Sequence, residues 1–528
     1  MAVSSAVRPL WRPRARTILH APAATPLALG LLAVASVLLR TVRLDVGFWI
    51  DEGLSVGIAD RPLLDIPGVL RQDGSPPLYY MLLHVWIRLV GDRGEEATHA
   101  LSLLVATVAI PAAFLLVRAL LGGRAGWIVA VLVAFNPFLT RYAQETRMYA
   151  LVVLLGIVAC ACFAGAFVQG RGRGWLAGFA AAFTALLYTH NWALFLGAGL
   201  ALAWALLVAL AAAEDRRALV RDGLLAAAAV GVLYAPWVPS MLYQAEHTGA
   251  PWGQPPTLAG LVRAPEQLLG PATQYVLLVG VGAGLVPLLR RRARGWSAEA
   301  RAAVALLLAA FVTLALPWLV SQVAPAWAVR YMAAALAPLL LAIGIGLARA
   351  GTLGIAVVAL VAVMWLAQNG PSEKSNAREL AAALEPALAP GDLVLSTQPE
   401  QVPVLHHYLR DAPGLRWATV TGPLTELGVT DWRDGVDRLR ASSVERDLEP
   451  LLAGLAPGRR LVLVQPVIAT LERWSAPWTS LVRQRSTAWE HALRSDARFR
   501  VVGHQPAIPP VARPNALRAT VLVRVGIR

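Results

Sequence analysis

Charge is what this chain is short of. Only 15% of its 528 residues are Asp, Glu, Lys or Arg, against 57% hydrophobic ones, and the mean hydropathy is +0.57. A water-soluble domain of this length has no use for so much apolar sequence, so the composition predicts a polytopic α-helical membrane protein. Lysine is scarcer still: Lys374 stands alone, and arginine dominates the other basic residues. The formal net charge of +15 would suit a nucleic-acid partner. The arginines lie mostly in short loops between apolar runs, however, where they report topology, and no nucleic acid is expected. Cysteine is limited to Cys160 and Cys162 inside one apolar run. Two residues apart on a helix they point to different faces, which argues against a disulfide or a metal clip and for packing.

What is present is a series of apolar runs. Arg8, Arg12, Arg14 and Arg16 precede the run 23–39, and no small-residue cleavage site follows it. This predicts an uncleaved first span with its N-terminus inside. Residues 76–91 decide the rest. As a helix they would cover roughly 24 Å of a hydrocarbon core about 30 Å thick, and they carry His84 and Arg88. If they do not cross, thirteen loop arginines (118, 124, 171, 173, 216, 217, 221, 290, 291, 292, 294, 301 and 349) fall inside. Only Arg141, Arg147, Arg263 and Arg330 then fall outside. A crossing at 76–91 inverts that ratio, so 42–96 is predicted as one external segment with short amphipathic helices on the membrane surface. The other spans are expected at about 97–119, 125–140, 148–168, 174–190, 192–212, 222–240, 273–289, 302–320, 330–349 and 352–368. That makes about eleven with the first, and puts the C-terminus outside.

At Gly370 the composition changes abruptly, dividing the chain into a transmembrane part, 1–369, and an external domain, 370–528. The second part reads helix 375–389, strand 392–396, helix 401–409, strand 415–420, helix 434–455, strand 460–464, helix 480–495 and strands 499–504 and 517–525. That alternation predicts an α/β domain, with Gly391 and Gly458 as turns from helix to strand. It holds no Gly-rich phosphate loop, nucleophile elbow or Cys/His metal spacing.

The predicted outer face gathers polar residues from distant parts of the sequence. Asp51 and Glu52 follow the aromatic shelf Phe48-Trp49 at the foot of the first span. Carboxylates lose hydration so close to lipid, and acids in such places usually face a cavity or water. Between the third and fourth spans, a helical reading puts Arg141, Glu145 and Tyr149 on one face with Arg147 at its edge. His190 ends the fifth span, and Arg330 and Tyr331 open the tenth. Each of these residue types also serves as an ordinary interfacial anchor. Gln244, Glu246, His247 and the Pro-rich 251–256 form a further external strip.

Trp49-Ile50-Asp51-Glu52, Ser75-Pro76-Pro77-Leu78-Tyr79-Tyr80 and Arg141-Tyr142-Ala143-Gln144-Glu145-Thr146-Arg147-Met148-Tyr149 resemble polytopic glycosyltransferases that use lipid-phosphate sugars. These are the relatives of protein O-mannosyltransferases and of the lipid A aminoarabinose transferase, with the GT-C fold. The resemblance is strongest over about 25–200 and weaker through 349. It implies a catalytic acid in the first external loop, with Asp51 at that position and Glu52 as its partner, and Pro76 and Pro77 in the surface-helix motif. It also implies a polyprenyl-phosphate sugar donor and a bacterial plasma-membrane enzyme with its catalytic side outside. The aminoarabinose branch often has an Asp after the second external Arg. Met148-Tyr149 stands there instead, which points away from charged aminosugars towards mannose or another neutral hexose.

The residues fit that chemistry by themselves. Transfer needs a base for the acceptor hydroxyl, and the departing lipid phosphate needs cations such as Arg141, Arg147 or Arg330. One carboxylate facing arginines predicts direct displacement with inversion, since no second nucleophilic carboxylate can be placed. No cofactor is called for, and a divalent metal at Asp51 and Glu52 has weak support because no further acids converge. The acceptor is a hydroxyl on a protein, a glycolipid or a wall glycan. A flippase for lipid-linked sugars should carry acids inside its spans, whereas here they lie in loops. A non-catalytic membrane partner would leave Asp51 dispensable.

Overall fold

The computed structural model describes residues 24–290, 293–368, 373–468, 470–505 and 513–526. The basic N-terminal residues through Arg16, Arg291, Arg292 and the composition break at Gly370 lie outside them.

Apolar helices stand at each of the expected span positions: α1 (Ala24–Arg40), and, separated from it by α2 (Ile50–Ala59), α3 (Ile66–Asp73) and α4 (Leu78–Val90), α5 (Glu95–Leu121) and α6 (Gly123–Phe135). After α7 (Pro137–Tyr142) come α8 (Tyr149–Phe163) and the helices Arg173–Leu187, Ala193–Leu210, Ala213–Tyr234, Thr273–Leu289, Ala298–Val320, Ala333–Arg349 and Thr352–Leu366. Among the described residues six helices are long and apolar enough to cross a bilayer. Leu258–Leu269 and Thr273–Leu289 add a pair bent by 84°. The run expected as one span at 125–140 is divided. Asn136 precedes Pro137, which disfavours a helical Asn136, and its side chain caps the new helix by accepting from the Leu139 amide at 2.9 Å.

The segment 42–96 forms the short helices expected of it. Its α4 is 13 residues long, roughly 20 Å, too short for a hydrocarbon core of about 30 Å. Tyr79, Tyr80, Leu83 and Ile87 face the protein, while Leu82, Val85 and Leu89 are exposed in a row. An apolar row of that kind on a short helix suits the membrane surface.

The C-terminal domain is built on a six-stranded sheet in the order β3-β2-β1-β4-β6-β5. Its strands are β1 (Leu393–Ser396), β2 (Arg416–Thr419), β3 (Gly422–Pro423), β4 (Arg460–Pro466), β5 (Phe499–Gln505) and β6 (Leu517–Arg524). Strand β1 is central and pairs parallel with both β2 and β4; β6 runs antiparallel to β4 and β5. Gly391 and Gly458 adopt φ of +89° and +82°, as turns from helix to strand require. The helix expected over 434–455 breaks after Ala441, where the Ser443 hydroxyl accepts from the Arg446 amide and starts a new turn.

This domain seats directly on 42–96. A Cβ on Gly53 would come within 2.6 Å of Val404, and one on Gly57 within 2.1 Å of the Gly428 carbonyl, so only glycine permits the approach. The Tyr408 hydroxyl donates to Glu95 and accepts from the Phe48 amide, both at 2.7 Å. The strip 247–254 joins in, with the His247 carbonyl accepting from Asp434 and the Pro251 carbonyl from Trp478. All the elements assigned to the outer face thus share one end of the helical body. In intact cells, a cysteine at exposed Asp92 should therefore react with an impermeant thiol reagent, and one at Gly123 should not. The two native cysteines are buried and give little background. The reverse labelling pattern would place 76–91 across the membrane.

Candidate active site

Asp51 and Glu52 occupy the first turn of α2, where carboxylates favour the helix dipole. They have opposite surroundings. Glu52 is 3% exposed. Its Oε1 accepts from the Thr146 amide at 2.8 Å and lies 2.7 Å from His99 Nε2, and its Oε2 accepts from the Trp49 amide at 3.4 Å. The other ring nitrogen of His99 sits 2.6 Å from the Leu44 carbonyl. Glu52, expected as a catalytic partner, therefore has its carboxylate engaged in tying α2 to α5 and to the turn before α8.

Asp51 points into the space between arginines. Its Oδ2 lies 3.4 Å from Arg330 Nε and 3.9 Å from Arg147 Nη2. Arg147 is also fixed through Nη1, which donates to the Asp51 carbonyl at 3.1 Å, the Ser55 hydroxyl at 3.0 Å and the Tyr80 hydroxyl at 3.4 Å. Arg330 is boxed by rings, with Trp252 at 4.8 Å, Tyr331 at 5.1 Å and Trp49 at 5.5 Å from its guanidinium carbon. Three segments far apart in sequence thus bring one carboxylate and two arginines together.

The segment 141–149 does not form the continuous helix expected of it. Helix α7 stops at Tyr142 and α8 starts at Tyr149, because the Thr146 amide is turned towards Glu52. Arg141 and Glu145 still approach at 3.9 Å, but Arg141 is half exposed and away from Asp51. Tyr149 leaves that face, packing edge-on against Tyr142 at 4.8 Å and lying 5.8 Å from His190. His190 packs on Tyr331 at 4.9 Å and accepts from the Trp192 amide at 3.1 Å.

Several residues of the site carry no signal in the sequence pattern. Lys374, the chain's only lysine, pairs with Glu145 and lies 4.3 Å from the Trp49 ring. Burial lowers its pKa, and Glu145 opposes that. Asp73, at the end of α3, is partly open by area but densely surrounded at its carboxyl. Burial raises its pKa to about 6 against the Ser75 hydrogen bond and Arg147, and the charge of Asp51 adds to the rise. Among the described residues no group of three or more His, Cys, Asp and Glu could hold a metal ion.

Two cavities approach this cluster. One, of about 540 Å³, has Arg147, His190 and Tyr331 in its wall together with apolar Trp192, Leu194 and Met241. The other, of about 610 Å³, is lined by Arg141, Tyr142, Gln267 and Trp365 among others.

At the level of sequence, neither a protein-family model nor a curated protein matches the chain. Its structure is similar to that of ArnT from Cupriavidus metallidurans in the apo state, with TM-score 0.62 and 15% identity over 96% of this chain and 100% of that one. ArnT bound to undecaprenyl phosphate gives TM-score 0.61 at the same identity and coverage. The chain has the GT-C fold. The archaeal oligosaccharyltransferase AglB from Archaeoglobus fulgidus, in complex with an inhibitory peptide and a dolichol-phosphate, matches at TM-score 0.54. There the identity is 10%, over 87% of this chain and 72% of that one.

The role of Glu52 in this GT-C protein can be measured separately from chemistry. Removing one member of a buried, hydrogen-bonded charged pair typically costs about 3–5 kcal/mol. Glu52→Ala should accordingly lower the melting temperature of the detergent-solubilised protein sharply. A melting curve within a degree or two of wild type would leave Glu52 without this structural role.

Proposed function

We propose that this protein is a membrane glycosyltransferase that moves a sugar from a polyprenyl-phosphate donor to an acceptor hydroxyl, with inversion. The observation that carries the reading is Asp51 held between Arg147 and Arg330 beside an apolar cavity. A polyprenyl tail suits the Trp192, Leu194 and Met241 side of that cavity, and the phosphate suits its Arg147 end. The ArnT and AglB neighbours, bound to undecaprenyl phosphate and in complex with a dolichol-phosphate, support a lipid-phosphate donor. The transferred sugar is a neutral hexose, mannose foremost. Met148 lines the cavity where an aminosugar would call for a carboxylate.

The proposed reaction uses few groups. In the resting site Asp51 partly neutralises both arginines. A donor phosphate competes for them and frees the Asp51 carboxylate to face the acceptor. The acceptor oxygen attacks the anomeric carbon while its proton passes to an Asp51 oxygen. The bond from that carbon to the phosphate oxygen breaks, and the electron pair leaves on the phosphate, where Arg147 and Arg330 stabilise it. Asp51 then returns its proton to solvent. Arg147, rather than Arg141, partners Arg330, because Arg141 is turned towards Glu145. His190 and Tyr331 form part of the wall of the donor site, and Tyr149 packs against His190.

Arg330→Lys should weaken transfer and undecaprenyl-phosphate binding although it keeps the charge, because the planar fork is lost. Normal binding and turnover in Arg330→Ala would reduce this arginine to an interfacial anchor.

The central test is Asp51→Asn, which keeps the size of the side chain and cannot take the proton. Loss of a positioned base should cost about 10²–10⁴-fold in turnover of a synthetic polyprenyl-phosphate mannose, with donor affinity changed far less. Turnover within a few-fold of wild type, normalised to folded protein, would remove Asp51 from catalysis.

A further inference from the structure

The cavity beside Arg147 has a polar side that the reaction as described leaves unused. Asn191 and Gln244 line it, together with Gly74 and Ser75, which follow α3. Both carboxamides are pinned to the end of α3 and this turn by their nitrogens. Asn191 Nδ2 donates to the Gly74 carbonyl at 3.2 Å, and Gln244 Nε2 donates to the Leu70 carbonyl at 2.8 Å and the Ser75 carbonyl at 3.1 Å. Carbonyl oxygens accept only from the nitrogen end of an amide, so neither side chain can be turned over. Their oxygens, Asn191 Oδ1 and Gln244 Oε1, remain as acceptors without a donor, and Gln244 is only 3% exposed. Buried acceptors are rarely left so, and a ligand that brings donors removes the cost.

His190 adds a group of the opposite kind. Its Nδ1 accepts from the Trp192 amide at 3.1 Å, which leaves the ring hydrogen on Nε2, where it can donate. One space of about 540 Å³ thus offers the cation Arg147, two uncharged acceptors and one uncharged donor. A hydrocarbon tail has no use for the last three. A phosphate would meet amide oxygens with oxygens of its own. Ring hydroxyls, each able to donate and to accept, match them.

We propose that Asn191 and Gln244 select the sugar of the donor, each amide oxygen accepting from one of its hydroxyls while His190 Nε2 donates to a hydroxyl oxygen. The sugar they fit is neutral and hydroxylated, and it hangs from the phosphate held by Arg147. The external segment 42–96 then serves the reaction twice, giving the base through Asp51 and fixing the two amides through Leu70, Gly74 and Ser75. The proposal rests on the glycosyltransferase reading above.

The test is equilibrium binding to the full-length purified protein, which needs no acceptor. Polyprenyl-phosphate mannose, glucose and galactose are compared, and the tightest is carried on as its monodeoxy analogues, with undecaprenyl phosphate as the sugarless control. In wild type at least one deoxy donor should bind about tenfold more weakly than its parent. Asn191→Ala and Gln244→Met should each weaken the parent by a similar factor and cease to distinguish it from one deoxy donor, with undecaprenyl phosphate still bound. Asn191 is the less enclosed of the two, and Asn191→Ala decides the matter if Gln244→Met no longer binds undecaprenyl phosphate. A wild type blind to every deoxy donor, or a preference that survives both substitutions, overturns the proposal and leaves the oxygens to water. Loss of undecaprenyl phosphate in both variants overturns it too, and makes the two amides a scaffold for the turn. A wild type that binds no polyprenyl phosphate of any kind would instead remove the glycosyltransferase reading, and this proposal with it.

Discussion

Glu52 carries a carboxylate to a place that water does not reach, where ions are stable only when their oxygens are answered by donors. Its donors come from three directions: His99 on α5, the Thr146 amide before α8, and the Trp49 amide at the start of α2. Two of these residues are also held elsewhere. His99 is held by the Leu44 carbonyl, and the Thr146 hydroxyl by that of Thr98 at 2.7 Å. The angle of α2 is therefore set at its first turn, and so is the direction of Asp51. The same bond interrupts the helix that 141–149 would otherwise form, and that interruption swings Arg147 back towards α2.

The arginines then obey a similar rule. Arg147 and Arg330 have little water to share their charge with, and the resting protein gives them Asp51, hydroxyls and ring faces. Asp51 meets them at 3.4 and 3.9 Å and makes no hydrogen bond to Arg330 Nε, so the pairing is loose compared with a bidentate one. A phosphate that offers oxygens to both forks is the better partner. In the proposed reaction, a site that is electrically quiet without its donor, and whose base that donor releases, would waste little turnover on water.

The parts of this organisation that were legible in the sequence are those set by the bilayer and by local backbone rules. The count of loop arginines placed α2, α3 and α4 on one side, and helix–strand alternation gave the sheet domain nearly strand by strand. Asp51, Arg147 and Arg330 could be grouped because topology puts chain ends at one face. The function of Glu52 could not be read, since His99 looks like one polar residue in an apolar run and Thr146 contributes only its backbone. Lys374 and Asp73 were invisible for another reason. Each reaches the centre through packing between segments that no periodicity connects, as Lys374 does to Glu145 across 229 positions.

Those long-range contacts explain why the C-terminal domain is part of the site. Trp49 lies immediately before the helix that bears Asp51, and two cations approach its ring: Arg330 from the helical body at 5.5 Å, and Lys374 from the link to the sheet domain at 4.3 Å. Lys374 is also bound to Glu145, in the same interrupted turn that supplies Thr146 and Arg147. Any displacement of the sheet domain that carried Lys374 away would leave buried Glu145 with only the half-exposed Arg141 at 3.9 Å and would take one of the two cations from Trp49. Glycines at 53 and 57 remove the side chains that would hold the two bodies apart, so the docking is close enough for that dependence to be felt. The geometry around Asp51 is thus a property of both domains together, although Asp51, Arg147 and Arg330 all belong to one.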